Sequence, residues 1–153
     1  MLALNLPPFL AKIELRGEKK VIFDILRKKY VVLTPEEWVR QSFIHFLIEH
    51  KGYPQALMGN EVLLNLNGMH KRCDTVLYNR DLSARMILEY KAPHVEITQK
   101  VFSQISNYNL VLRVDYLVVS NGLKHYCCKM NYNEQNYTFL HEIPGYELSL
   151  IHI

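Results

Sequence analysis

Between residues 34 and 54 the apolar positions Trp38, Phe43, Phe46 and Leu47 recur at helical spacing, framed by Thr34, Pro35 and Glu37 before them and Gly52 and Pro54 after. Thr34 suits an N-cap, Pro35 the first helical position, and Glu37, three residues past the cap, a capping box, so the segment predicts a helix with one apolar face. Three short β-type runs follow, EVLLNLN (61–67), RCDTVLYN (72–79) and ARMILEYK (84–91), parted by GMHK and RDLS. Those connections have hairpin length and polarity, which predicts an antiparallel meander. Residues 96–113 return to the helical period, with Ile97, Val101, Ile105, Tyr108 and Leu112 on one face.

The almost wholly apolar DYLVVS (115–120) reads as a strand buried on both sides, suited to the middle of a sheet. A turn at Asn121-Gly122, another strand and a last one in NYTFLHEI complete the pattern. Ahead of the first helix, residues 11–33 alternate loosely around Arg16-Gly17-Glu18, which predicts a hairpin or two short strands. The fold class expected is α/β, a mixed central sheet with an antiparallel meander flanked by helices. Residues 1–33 are expected to form an N-terminal arm with short strands and residues 34–153 the main unit, within one domain overall.

Composition alters this picture little. The chain has 153 residues, 49% hydrophobic and 22% charged, which is ordinary for a globular domain and long enough to bury a core without a staple. Its longest apolar runs fall short of the ~20 residues of a membrane span, and no signal-peptide pattern opens the sequence. A cytoplasmic protein with no membrane partner is expected. Cys73, Cys127 and Cys128 have no C-x-x-C spacing, and adjacent strand residues face opposite ways, so neither a disulfide framework nor a zinc knuckle is indicated. A net charge of +3 permits contact with phosphate without demanding it.

The charges inside the meander do change the picture. Glu89 and Lys91 are two apart on one strand and therefore share a face, and Asp74 on the preceding strand can come opposite Glu89 if the strands pair. Two carboxylates on rigid neighbouring strands suit Mg²⁺, which takes oxygen ligands and keeps positions for water and phosphate. A lysine beside them can hold an attacking water or offset charge developing on a phosphoryl group. The competing explanation is a cross-strand salt-bridge ladder, worth about 0.2–1 kcal/mol.

In order along the chain, RCDTVLY, MILEYKAP, QISNY and YLVVSNG resemble the PD-(D/E)XK nuclease superfamily, and in particular the N-terminal endonuclease domain of type I restriction enzyme R (motor) subunits. The resemblance covers roughly residues 34–130 and includes TPEEWVRQ and GYP of the opening helix. It implies a restriction-endonuclease-like core, with Asp74 and Glu89 as metal ligands, the backbone carbonyl of Tyr90 completing the protein ligands, and Lys91 as catalytic lysine. It further implies that Gln104 and Tyr108 contact the nucleic-acid backbone or the metal shell; without the resemblance, Tyr108 reads as core and Gln104 as solvated. Some relatives add a glutamate from the opening helix, for which Glu37 is the candidate, with Glu61 as another contender. Cys73 stands before Asp74 where the family name has proline.

The activity expected is metal-dependent DNA endonuclease, with Mg²⁺ as cofactor and Mn²⁺ as substitute, and with DNA and other restriction-modification subunits as partners. The alternative is a catalytically inactive nucleic-acid-binding or assembly module of the same fold. The chain has no Walker motif, so it is expected to be either a fragment of a larger protein or a small stand-alone relative. RNA as substrate and the oligomeric state stay open.

Overall fold

The computed structural model describes residues 3–66 and 68–147, with the side chains of 66, 69 and 108–112 left out of the description. Three short strands open it: β1 (Ile13–Arg16), β2 (Lys19–Asp24) and β3 (Lys29–Val32) form an antiparallel sheet in that order. The sequence suggested a hairpin or two strands here; the third exists because Val31 and Val32 pair back onto Ile22 and Val21.

Helix α1 (Pro35–Lys51) begins where the cap signals place it. Thr34 Oγ1 accepts the Glu37 backbone N–H at 3.0 Å, and Gly52 ends the helix at φ 73°, a left-handed conformation that glycine adopts without strain. The capping box is only half made, because the Thr34 N–H is donated to Val32 O instead of the Glu37 carboxylate.

The main sheet has six strands in chain order: β4 (Met58–Leu66), β5 (Met69–Tyr78), β6 (Ala84–Tyr90), β7 (Tyr116–Ser120), β8 (His125–Asn131) and β9 (Asn136–Leu140). All neighbours are antiparallel except β6 and β7, which run parallel because α2 (Gln99–Leu112) carries the chain across one face between them. Met69 to Lys71, expected in a loop, are strand: the β4–β5 ladder continues to the Leu66–Met69 pair.

Alternation along the strands separates two cores. Met86, Leu88, Tyr90, Tyr116 and Val118 meet Val39, Phe43, Ile44 and Leu47 of α1. Cys73, Ile87, Leu117 and Val119 meet Phe102 of α2. The adjacent Cys127 and Cys128 go to opposite layers, as strand neighbours must, and all three cysteines are buried and free. The N-terminal arm closes over α1 and the β7–β8 turn, with Asn5 N–H bonded to Gly122 O at 2.8 Å. That turn needs glycine at position 122 for its φ of 86°, and an added Cβ, 2.8 Å from Leu4 Cδ2, would also make the Leu4 side chain move.

Candidate metal and phosphate site

The site forms where the β5–β6 ladder stops. Its last backbone pair is Thr75 with Leu88, and in the same register the next would be Asp74 with Glu89. Lys91 donates its backbone N–H to Ser120 O of β7 at 2.9 Å, so the alternate N–H, that of Tyr90, points the other way. There Asp74 Oδ2 accepts it at 2.8 Å. A side chain thus replaces the backbone acceptor, and the Tyr90 carbonyl, on the same side of its strand as the N–H, is directed toward Asp74 as well.

Asp74 is also flanked on its other side. The pairs Asn60–Thr75 and Val62–Cys73 bracket Glu61 against Asp74, and Glu61 lies at φ 53° in mid-strand. A left-handed conformation costs a residue with a Cβ about 1–2 kcal/mol. It makes the side-chain alternation slip: Asn60 bonds within the α1 layer, whereas Val62 packs in the α2 layer. Arg40 of α1, only 4% exposed, holds this joint. Its guanidinium donates to Asp74 O at 2.9 Å and to Glu61 Oε1 at 2.7 Å, and its Nε lies 3.2 Å from Glu37 Oε2.

A buried polar chain fixes the three strands at the level of the site. Asn60 Nδ2 donates to Asp24 Oδ2 at 2.9 Å, Thr75 Oγ1 donates to Asn60 Oδ1 at 2.6 Å, and Tyr90 OH donates to Thr75 Oγ1 at 2.9 Å. Burial would raise the Asp24 carboxyl, but hydrogen bonds from Arg27, Asn60 and the backbone of Leu26 and Arg27 hold it below its ordinary value. The residue between Glu89 and Lys91 is thereby anchored at both its amide and its ring.

Glu89, 7% exposed, shares the α2 face of β6 with Ile87. Burial and then the neighbouring charge of Asp74 push its carboxyl up to about 7, against the opposing pull of Lys71, whose Nζ is 2.8 Å from Glu89 Oε1. Burial lowers the Lys71 ammonium, but its bond to Glu89 outweighs this and leaves it above its usual value. Lys91, the next residue on that face, is half-exposed. Two crowded carboxylates and a carbonyl are a hard-oxygen set whose repulsion a divalent cation would relieve. Among the described residues no three His, Cys, Asp or Glu side chains gather as a closed cage. A two-carboxylate site leaves the other octahedral positions to water and phosphate, the arrangement usual for Mg²⁺.

The structure brings Asp74, Glu89, Tyr90 and Lys91 to one sheet end, but not every candidate joins them. The Glu37 carboxylate is shared by Arg27 at 2.8 Å, Gln41 at 2.9 Å and Arg40 at 3.2 Å, so both its oxygens are engaged away from Asp74. The helix residue that faces the site is Glu36, raised by burial and by Asp74, with Arg40 and Lys91 opposing. The sequence signal for it is its position one turn before Arg40, on the same helix face. Gln104 is exposed on α2, and the Tyr108 side chain lies outside the described residues. The contacts of Lys71 with Glu89 and of Arg40 with Asp74 leave no local spacing in the sequence, because these partners are 18 and 34 residues apart.

Residues 35–144 match the family model of the type I restriction enzyme R protein N terminus. Among solved structures, a fragment described as the HsdR subunit of a type I restriction enzyme from Vibrio vulnificus YJ016 superposes with a TM-score of 0.52 at 18% sequence identity. The match covers 78% of this chain and 26% of that one, so the chain spans about a quarter of the length of that relative. At that identity the likeness is one of fold, and the fold is the restriction-endonuclease-like core. No curated protein matches the chain. No helix among the described residues is long and apolar enough to cross a membrane.

Proposed function

Since this chain belongs to the family of type I restriction enzyme R protein N termini, we propose that the place where the β5–β6 ladder stops is a divalent-metal-dependent endonuclease centre that hydrolyses DNA phosphodiesters within a restriction enzyme. The observation that carries this reading is the convergence of Asp74 and Glu89 where the ladder breaks, with burial first and the charge of Asp74 second pushing the Glu89 carboxyl up to about 7. Asp74, Glu89 and the Tyr90 carbonyl would hold the ion, Mg²⁺ with Mn²⁺ as substitute. When bound, such an ion supplies a Lewis acid and makes hydroxide available near neutral pH.

The chain's own groups do the rest. Arg40 and the polar chain from Asp24 to Tyr90 keep the two carboxylates in place. Lys91 offers an ammonium to the attacking water or to a non-bridging phosphate oxygen, where it offsets developing negative charge. Gln104 and Tyr108, four apart on α2, would orient the DNA backbone. DNA and the other restriction-modification subunits are the partners this reading assigns.

One contact favours the second reading, a catalytically silent binding or assembly module: Lys71 already gives Glu89 a cationic partner. Supercoiled plasmid incubated with Mg²⁺ separates the two. The wild type should nick it, EDTA should stop the reaction, and Lys91→Ala should slow it by about 10²–10³-fold, the usual cost of losing a charge-stabilising group, while keeping Mn²⁺ affinity. Cleavage undiminished by Lys91→Ala would overturn the catalytic assignment.

A further inference from the structure

We propose that the β4–β5 hairpin beyond Asp74 is a DNA-contacting ribbon that enters the major groove beside the phosphate held at the sheet end. The choice of DNA rests on the nuclease reading above; the ribbon itself rests on geometry and charge. β6 pairs with β5 from Thr75 to Tyr78, so among the described residues β4 is the one ladder partner of 69–73, out to the Leu66–Met69 pair. From Asp74 to Met69 the strand rises about 17 Å, at ~3.4 Å per residue. Paired strands are ~4.8 Å apart, and the major groove, about 12 Å wide, admits a two-stranded ribbon.

Its charge fits that occupant. From Val62 to Arg72 the sequence has no Asp or Glu and carries His70, Lys71 and Arg72 in succession. Neighbouring strand residues emerge on opposite faces: Lys71 turns to Glu89, whereas Arg72 turns away, its side chain 65% exposed and no nearer than 3.9 Å to Glu61. Arg72 therefore offers its charge to a phosphate on the groove wall, while Lys71 stays with Glu89 at the root of the ribbon. Asn65, bonded to His70, and Leu63, 53% exposed, supply an amide and an apolar group for base edges. The joint at Glu61 and Asp74 places the carboxylates at the root of the ribbon, which is where the groove wall presents its phosphates.

The test is duplex binding by fluorescence anisotropy in Ca²⁺, comparing wild type with Arg72→Ala. Losing one phosphate contact predicts affinity about tenfold weaker at ~50 mM salt and a log–log salt slope smaller by about 1. Methyl green, a major-groove ligand, should displace the wild type and the minor-groove ligand netropsin should not. Mn²⁺ affinity should not change, because Arg72 is outside the metal ligands. Equal affinity and slope in the variant, displacement by netropsin alone, or no duplex binding by the wild type would overturn the ribbon. Weakened DNA binding in Arg72→Ala together with Mn²⁺ binding that survives Asp74→Asn would sink the nuclease reading and leave the ribbon standing.

Discussion

Replacing Glu89 by glutamine should stabilise this protein at alkaline pH while destroying its proposed chemistry. In the folded chain the Glu89 carboxyl is raised from 4.5 to about 7, by burial first and by Asp74 second. The folded state therefore holds this proton more tightly than the unfolded chain. Below the unfolded value both states are protonated and Glu89 adds no pH-dependent penalty; as pH rises through 4.5 the unfolded chain ionises first, and the penalty grows until pH passes about 7. At 1.36 kcal/mol per pH unit the full cost is about 3 kcal/mol. Glutamine is nearly isosteric and cannot ionise, and the loss of attraction to Lys71 is already contained in the position of the Glu89 titration. Urea denaturation of both proteins in EDTA measures the effect. The stability of Glu89→Gln relative to wild type should rise by about 2–3 kcal/mol between pH 5 and pH 8, other groups cancelling in the difference. A difference that stays flat across that interval would mean that Glu89 ionises as an ordinary surface carboxyl and that the crowded pair is not there.

The same titration governs the metal. Mn²⁺ should bind wild type about tenfold more tightly at pH 8 than at pH 6, because Glu89, near 7, must lose its proton first; isothermal titration at the two values checks it, and equal affinities would refute it. Arg40→Met removes the donor shared by Asp74, Glu61 and Glu37 and leaves two carboxylates without their buried partner. The expected loss is about 3–5 kcal/mol by urea denaturation, and a loss under about 1 kcal/mol would remove Arg40 from the account. Tyr90→Phe leaves the Thr75 hydroxyl without its donor and should cost about 1–2 kcal/mol while keeping Mn²⁺ binding. Loss of metal binding with the fold intact would show that the ring, and not only the carbonyl, serves the ion.

Much of the sheet end was legible because it depends on local periodicity. Glu89 and Lys91 share a face in any strand, and the length of RDLS set β5 and β6 side by side, which brought Asp74 to Glu89. The helix α1 was legible for the same kind of reason, since Thr34, Pro35 and Gly52 act within a turn of themselves. What stayed hidden depends on rotation and on distance in sequence. Glu36 and Glu37 differ by about 100° around the helix, and only the bonds of Arg27, Gln41 and Arg40 to Glu37 show which of them faces Asp74. Met69-His70-Lys71 carries no β-type alternation, so a strand there is set by its ladder with β4 and not by its own residues. Glu61 gave no sign of its left-handed backbone, because that conformation is imposed by the joint with Asp74 and clamped by Arg40.

The most direct test of the central claim is a calorimetric Mn²⁺ titration of wild type and Asp74→Asn at pH 8, with a short DNA duplex present and equal fold content confirmed by circular dichroism. The account predicts saturable binding in the wild type and its loss in the variant, since the amide removes one of two anionic ligands but keeps an oxygen acceptor for the Tyr90 N–H. Equal binding in both, or none in the wild type, would contradict it and reduce Asp74, Glu89 and Lys91 to charges that Lys71 and Arg40 neutralise at the end of a sheet.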